Sequence, residues 1–529
     1  MIPTAQQQSI YDILAGNKKL RQTESGNISV NAVAGSGKTT TAVQAAKYAA
    51  QRYGKIAFTA FNKAIAEELG KKLGGSAQAS TLHSLGMRLV KSKIPSLQVD
   101  QFGKKYQKIA KAIYPNYFES RGTKSWLRPE MASLFALINL IRSQAIQVDT
   151  LTQDLRDQVC KAADIQGITL PAKQYVDEVI GAAFHILEIG SDPQHIVEMD
   201  FADMIWLPVR LGIANKDYDL LFADEAQDFN PCQQKLILSV SANTVIVGDP
   251  YQSIMGWAGA DTNSFKNLTT QLDAKSMPLS VCWRCPSSHL ELARMLVPHI
   301  EARPDAIKGE ITQTTKYALA GQVKAGDLII CRNNAPLVGT AYNLMRAKVP
   351  CAVKGKSIGD DIVNLVVKLD PLDIKDLHSR LGRWNEREQK KLLDRDAHET
   401  AFDALKDKVE CITELSQECE TIEQMISLCR DLFTESEDVN KVNLSSIHRA
   451  KGLEADNVTL LRPDLMCTRA KDEESYQQEK NLLYVALTRA KSHLVFADGS
   501  GAGRPELNQW IRDIAGRQMP NRFPKNRSW

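Results

Sequence analysis

An apolar strand, Ile28–Val33, runs into a glycine-bearing turn and then a helix-spaced segment from Lys38, so that residues 31–40 read NAVAGSGKTT. A strand that hands over to a helix through so tight a turn needs a sheet for the helix to pack back on, the unit of parallel α/β proteins. The unit recurs at once, with Lys55–Ala60 as a second strand and Lys63–Leu73 as a second helix. Ala32–Thr39 fits the pattern GxxxxGKT, with Ala32 in place of the first glycine. Gly35 and Gly37 let the backbone N–H groups of Ala34, Gly35, Ser36, Gly37, Lys38, Thr39 and Thr40 turn toward phosphate oxygens, and the helix N-terminus adds its partial positive charge. In such a cradle Lys38 reaches the β- and γ-phosphates of ATP, and the Thr39 hydroxyl faces Mg²⁺.

A second stretch, DEAQD at 224–228, closes the apolar strand Leu220–Ala223. Adjacent acids after a strand are ordinarily a solvated turn. With a phosphate loop upstream they gain roles: Asp224 as a holder of Mg²⁺, Glu225 as the base that polarises the attacking water, and Gln227 as a reader of the γ-phosphate or that water. Arg284 and Arg489 are candidates for the positive charge that phosphoryl transfer also requires.

The chain of 529 residues exceeds what one core serves. Its net charge of +4 is mild, but Arg88–Arg128 holds ten Lys or Arg against Asp100 and Glu119 alone, interleaved with Phe102, Tyr106, Tyr114, Tyr117, Phe118 and Trp126. That stretch reads either as a nucleic-acid surface or as a solvated helical face over a local aromatic core. No charged start followed by an apolar run marks a signal peptide, and no apolar run is long enough to cross a bilayer. A reduced, cytoplasmic protein is the expectation. Cys282 and Cys285 form a lone CxxC, without the second pair of a zinc ribbon.

Sheet-like segments recur at Tyr218–Ala223, Thr244–Val247, Asp327–Cys331, Lys441–Ile447, Asn457–Leu461 and Ser492–Ala497. They give an α/β chain with two parallel-sheet phosphate-loop domains, each carrying a mostly helical insertion. The expected divisions are a first core at 1–88 and 198–278 with an insertion at 89–197, a second core at 279–365 and 441–515 with a charged insertion at 366–440, and a basic tail at 516–529.

In order along the chain, these motifs resemble the superfamily 1 DNA helicases of the UvrD/Rep/PcrA type. The resemblance runs from about Thr4 to Val495 and is absent in the insertions. It implies two RecA-like domains with ATP between them. It also implies that Gln7 reads the adenine edge, Gln252 in GDPYQSIMGWAGA senses the γ-phosphate, and Trp283 stacks on adenine beside Arg284, which contacts the γ-phosphate. Glu454 in HRAKGLE falls on the ribose, and Arg489 in YVALTR is the arginine finger. Phe61 and Asn62 in TAFNK, His83 in TLHS, Trp257, Arg332 and Asn334 in CRNNAPL, and His448 fall along single-stranded DNA. Ala60, Met255 and Ala258 depart from the family's usual phenylalanine, tyrosine and arginine at DNA-facing positions, so base stacking is arranged differently here.

The implied activity is ATP-driven movement on single-stranded DNA, 3′→5′, with unwinding at junctions between single and double strands, by a monomer working with replication or repair proteins. A translocase that displaces proteins or remodels recombination intermediates is the close alternative. An ATP-gated DNA-binding switch fits less well, because Lys38, Glu225, Gln252, Arg284 and Arg489 are all present. A helicase–nuclease is disfavoured by the short stretch after Ala497.

Overall fold

The computed structural model describes residues 3–16, 26–115, 127–166, 168–171, 173–254, 263–394, 399–417, 419–435, 438–467, 473–498 and 507–516. The chain divides into two compact units. The first comprises Met1–Ala32, Gly37–Leu279 and Lys391–Ala401; the second comprises Val33–Ser36, Ser280–Lys390 and Phe402–Trp529.

The strands of the first unit are β1 (Ile28–Ala32), β2 (Ile56–Ala60), β3 (Gln78–Thr81), β4 (Gln98–Val99), β5 (Glu198–Met199), β6 (Tyr218–Ala223), β7 (Ser241–Gly248) and β8 (Lys275–Leu279). Six of them form one sheet in the order β3-β2-β6-β7-β1-β8, with every pairing parallel. β4 and β5 pair separately. An inner strand of a parallel sheet is covered on both faces and therefore reads as a continuous apolar run. All five residues of β2 are buried, and so are Leu220–Ala223 of β6. Phe58 and Phe222 stand opposite each other in the register of β2 and β6, and their rings stack at 5.5 Å.

Alternation along β6 splits its side chains between two cores. Leu220 and Phe222 join a cluster with Ile10, Leu14, Ala46 and Leu69, from the helices Ala5–Leu14, Lys38–Ala49 and Lys63–Leu73. Leu221 and Ala223 join the other cluster, with Leu85, Tyr106, Leu137, Ile186 and Leu207 from the helices that lie between β3 and β6. Those helices thus share a core with one face of the sheet. Side-chain caps start several helices: Asn62 accepts from the Ile65 N–H, Thr81 from the Ser84 N–H, and Asn230 from the Gln233 N–H in a reciprocal capping box with Pro231 at the first position.

Within this helical layer lies a buried ionic network. Asp203, with no exposed surface, accepts from Lys105 Nζ (2.5 Å), Tyr106 Oη (2.6 Å) and Arg142 Nη1 (2.9 Å), and Arg142 also pairs with Asp200 at 2.7 Å. The Arg142 guanidinium lies 4.4 Å from the Tyr106 ring centroid. Removing one member of such a network strands the others in low dielectric. Asp203→Ala is therefore expected to cost about 3–5 kcal/mol of stability. Urea denaturation measures this, and a midpoint within error of the parent would refute a structural role for the network.

The second unit carries β9 (Val281–Cys282), β10 (Glu301–Ala302), β11 (Glu310–Thr315), β12 (Leu328–Cys331), β13 (Cys351–Lys354), β14 (Phe433–Thr434), β15 (Val442–Ser446), β16 (Ala455–Leu461) and β17 (Ala490–Asp498). β9 pairs with β10, and the other seven form a sheet in the order β11-β17-β16-β12-β15-β13-β14, again all parallel. Its helices Ala335–Arg346, Lys356–Leu369, Ile374–Asp394, Glu399–Ser416 and Ile422–Leu432 bury Leu337, Val366, Leu377, Ile412 and Met425 in one core with Ile329, Val353 and Leu444. Among the described residues, no helix is long and apolar enough to cross a membrane.

Candidate functional site

In an all-parallel sheet, the turns that follow the strands leave from one edge, where open α/β sheets bind ligands. In the first unit β7 lies between β1 and β6, so the turns after β1, β7 and β6 emerge side by side. Gly37, at φ +77°, caps the helix that begins with Lys38. The Thr39 hydroxyl donates to Asp224 Oδ2 at 3.0 Å, which joins the end of the phosphate loop to the end of β6. Thr40 follows on the same helix.

Glu225 adopts a left-handed backbone at φ +55°, a conformation that costs a non-glycine residue about 1–3 kcal/mol. Its N–H returns to Asp224 Oδ1 at 2.9 Å, and its carboxylate accepts from Gln227 Nε2 at 2.5 Å. The other end of the Gln227 amide accepts from the Asp249 N–H at 3.1 Å. Asp249, fully buried at the end of β7, accepts from Gln252 Nε2 at 2.6 Å. Gly248 is required here, because a Cβ at that position would collide with Gln227 Oε1 and the Phe265 ring. A continuous hydrogen-bonded chain thus runs from Thr39 through Asp224, Glu225, Gln227 and Asp249 to Gln252.

The electrostatics follow from burial. Desolvation, reinforced by the charge of Glu225, pushes the Asp224 carboxyl up to about 6 against the opposing pull of Lys38. Asp249 is raised as well, chiefly by burial, again with Lys38 pulling the other way. Two buried acids beside one lysine suit a divalent cation. Mg²⁺ takes one or two carboxylates and draws its remaining ligands from phosphate and water. Among the described residues, no group of three or more His, Cys, Asp or Glu gathers to hold a metal by itself. Gln7 is otherwise engaged: its amide closes a capping box with Thr4 and donates to the Thr41 hydroxyl at 2.9 Å.

The second unit holds the other candidates. Arg284 Nε pairs with Glu454, Arg284 Nη1 donates to the Thr488 carbonyl at 3.2 Å, and Lys491 takes the second Glu454 oxygen at 2.6 Å. Burial alone would raise the Glu454 carboxyl, but Lys491 and Arg284 together hold it below its ordinary value. Arg489 is buried, with its guanidinium on the carbonyls of Val485 (2.9 Å) and Leu453 (3.3 Å). The Trp283 N–H donates to the Gly35 carbonyl at 2.8 Å. Ser36 in the same unit buries a hydroxyl that has no hydrogen-bond partner.

The residues expected along DNA are placed unevenly. Phe61, just past β2, is 64% exposed, while Asn62 is spent on capping. The His83 ring lies 4.9 Å from the ring of Phe201, which is 67% exposed. In the second unit Arg332 pairs with Glu479 at 2.8 Å, and Asn334 is held by Asp407, which accepts from its side-chain amide and from the N–H groups of Asn334 and Ala335. Burial, with the nearby charge of Arg332, lowers His448 to about 3, so its ring is neutral near pH 7. Trp257, Met255 and Ala258 lie outside the described residues, as do Tyr117, Phe118 and the basic tail beyond 516.

Four residues were not singled out from sequence. Asp249 stands at the end of an apolar strand just as Asp224 does, and that parallel was a usable signal. Phe201 and Asp407 left no local mark, whereas Tyr484 opens the YVALTR segment and was quoted there without a role of its own.

A family described as the UvrD/REP helicase N-terminal domain matches residues 15–273, and one described as the UvrD-like helicase C-terminal domain matches 373–498. F-box DNA helicase protein 1 of Schizosaccharomyces pombe is 26% identical over 511 residues, covering 89% of this chain and 55% of that protein. ATP-dependent DNA helicase Rep of Escherichia coli is 24% identical over 315 residues, covering 54% of this chain and 43% of Rep. The chain spans about half the length of these curated relatives. With two family domains matched in order and helicases among its relatives, the chain belongs to the UvrD-like superfamily 1 helicases.

Proposed function

We propose that the chain is an ATP-dependent DNA helicase that moves 3′→5′ on single-stranded DNA and opens duplex ahead of it. The observation that carries this reading is the hydrogen-bonded chain from Thr39 to Gln252 at the strand ends of the first unit. Lys38 and the turn N–H groups from Gly35 to Thr40 hold the triphosphate; the Ala34 N–H, expected among them, is taken instead by the Tyr484 hydroxyl. Thr39 and Asp224 hold Mg²⁺, which when bound offsets the charge of the phosphates. Glu225, oriented by Gln227, accepts the proton of the attacking water. Gln252, oriented by Asp249, responds to the γ-phosphate. Arg284 and Arg489 supply the positive charge that develops its effect as the phosphoryl group leaves, Trp283 and Gln7 hold adenine, and Glu454 holds the ribose once it has exchanged its arginine and lysine partners for nucleotide.

On the DNA side, Phe61, Trp257 and the His83–Phe201 pair provide faces on which bases stack, each worth about 1–3 kcal/mol. Arg332, Asn334 and neutral His448 contact the strand further along. The names of the relatives, F-box DNA helicase, Rep and PcrA, support DNA as the track. The test is ATP turnover with and without single-stranded DNA, paired with unwinding of 3′-tailed and 5′-tailed duplexes. Strand-stimulated turnover with unwinding from the 3′ tail is expected; turnover indifferent to DNA would overturn the reading. The small insertion in the second unit, packed into the sheet's own core, favours a variant reading in which the motor displaces bound proteins with little unwinding. A protein-displacement assay separates the two.

The metal site has a pH signature. Because the Asp224 carboxyl is held up to about 6, the nucleotide-free chain carries it protonated below that pH, and Mg²⁺ must displace the proton. Mg²⁺ affinity is expected to fall about tenfold per pH unit below about 6 and to level off above it. The sign for stability is opposite to that of a salt-bridged acid. In the metal-free chain this raised carboxyl adds stability below its ordinary range and loses it as the pH rises through about 6. Calorimetric Mg²⁺ titrations across this range check it, and a pH-independent affinity would remove Asp224 as the ligand.

A further inference from the structure

The turn Val33–Ser36 belongs to the packing of the second unit. Gly35, at φ +66°, lies so close to its neighbours that a Cβ there would meet Arg284 Cβ at 2.7 Å and Cys282 Sγ at 2.9 Å. Besides the turn's own bond from the Ser36 N–H to the Val33 carbonyl at 3.3 Å, two hydrogen bonds tie it to its surroundings. One, from the Trp283 N–H to the Gly35 carbonyl, joins backbone to backbone and asks nothing of the side chains. The other runs from the Ala34 N–H to the Tyr484 hydroxyl at 2.9 Å and exists only because residue 484 carries a phenol. Tyr484 has no exposed surface and Ala34 has none either. A buried N–H needs an acceptor, and the hydroxyl supplies one that water does not reach.

Tyr484 stands on the helix Glu473–Leu487, which leads directly into Thr488 and Arg489. Both of those side chains bond back onto that helix: Thr488 Oγ1 donates to the Tyr484 carbonyl at 2.8 Å, and Arg489 Nε donates to the Val485 carbonyl at 2.9 Å. One rigid element therefore carries both the hydroxyl that holds the turn and the arginine assigned to the γ-phosphate.

We propose that Tyr484 is a positioning residue for the phosphate-binding turn: by accepting the Ala34 N–H, its hydroxyl sets the orientation of the turn's peptides, so that the N–H groups that follow are aimed at the nucleotide before it arrives. The proposal rests on the ATP reading above and adds to it a residue that touches neither nucleotide nor metal. A preorganised cradle binds more tightly than one that must be ordered on binding. Loss of the hydroxyl thus weakens ATP in the ground state and the transition state alike, which appears in KM and not in kcat.

The test is Tyr484→Phe, which keeps the buried ring and deletes only the acceptor. KM for ATP, and Kd for a non-hydrolysable ATP analogue without DNA, are expected to rise about tenfold, with kcat within about threefold of the parent. Hydrogen exchange at the Ala34 amide is expected to quicken about tenfold or more, a readout that ring packing alone does not move. Unchanged KM and Kd with unchanged Ala34 exchange would overturn the proposal. A variant that fails to fold would make the hydroxyl a stability element and overturn it equally. Lys38→Ala serves as the control. If the parent binds the analogue and Lys38→Ala does not, while Tyr484→Phe binds like the parent, the positioning role alone fails. If the parent shows no binding that depends on Lys38, the nucleotide reading fails with it.

Discussion

Glu225→Gln is expected to lower ATP turnover by about 10²–10⁴-fold, the usual worth of a positioned base, while ATP affinity stays within about twofold of the parent. The substitution isolates proton transfer. Gln227 Nε2 donates to a Glu225 oxygen, and the amide oxygen of a glutamine accepts in the same way, so the local geometry survives. The left-handed backbone at 225 is common to both residues and adds no new strain. What disappears is the ability to take a proton from water. A second effect follows from charge. Glu225 is one of the two forces that hold the Asp224 carboxyl high, so its neutralisation should bring Asp224 down and move the acid limb of Mg²⁺ binding to lower pH. Burst and steady-state ATPase measurements, with a fluorescent nucleotide for affinity, provide the check. Undiminished steady-state turnover would exclude Glu225 as the base.

Lys38→Ala is expected to act earlier in the cycle. It should remove detectable strand-stimulated hydrolysis, a loss of about 10²–10³-fold or more, as for deletion of one preorganised charge-stabilising group, and it should weaken ATP binding as well. Lys38 also has neighbours to restrain. Its charge pulls down both Asp224 and Asp249, against the burial that drives them up. Without it, both buried acids are harder to ionise, so the metal loses its ligand along with the triphosphate losing its cation. The two substitutions therefore separate cleanly: Glu225→Gln binds and does not turn over, whereas Lys38→Ala does neither. Hydrolysis by Lys38→Ala at the parent's rate would refute the phosphate role of the loop.

The parts of this molecule that were legible in sequence are those whose signal is local. β2 and β6 are buried on both faces and announce themselves as unbroken apolar runs. The phosphate loop and the acidic pair each sit at a strand end, and both were readable from their neighbours. Edge strands were not. β3 and β8 border the first sheet and read QAST and KSMPL, one half-polar and the other broken by Pro278. β11 and β14 border the second sheet and were missed for the same reason, since a strand with one free edge needs no apolar run. The opening helix Ala5–Leu14 also went unread, because its three buried positions are sparse.

In the site, residue types were readable and their partners were not. The pairing of Arg284 with Glu454, the grip of Asp407 on Asn334, and the bond from Ala34 to Tyr484 each join residues far apart in the chain. Nothing in the periodicity of either segment marks such a meeting. These pairings decide what the site residues do when no ligand is bound, and the fold alone brings them together.

The uniform direction of the first sheet has a consequence for anyone who would cut or splice this chain. The Thr81 that ends β3 is also the cap of the helix Leu82–Lys93, so the whole helical layer springs from the rim of the sheet that carries the nucleotide motifs. Excising that layer would wound the rim itself and strip one face of Leu221, Ala223 and Ile246 of its cover. A tag or a foreign module belongs at the opposite rim, where the strands begin, and clear of Gly54 and Lys55, whose N–H groups both donate to Asp219 Oδ2 and tie the start of β2 to β6.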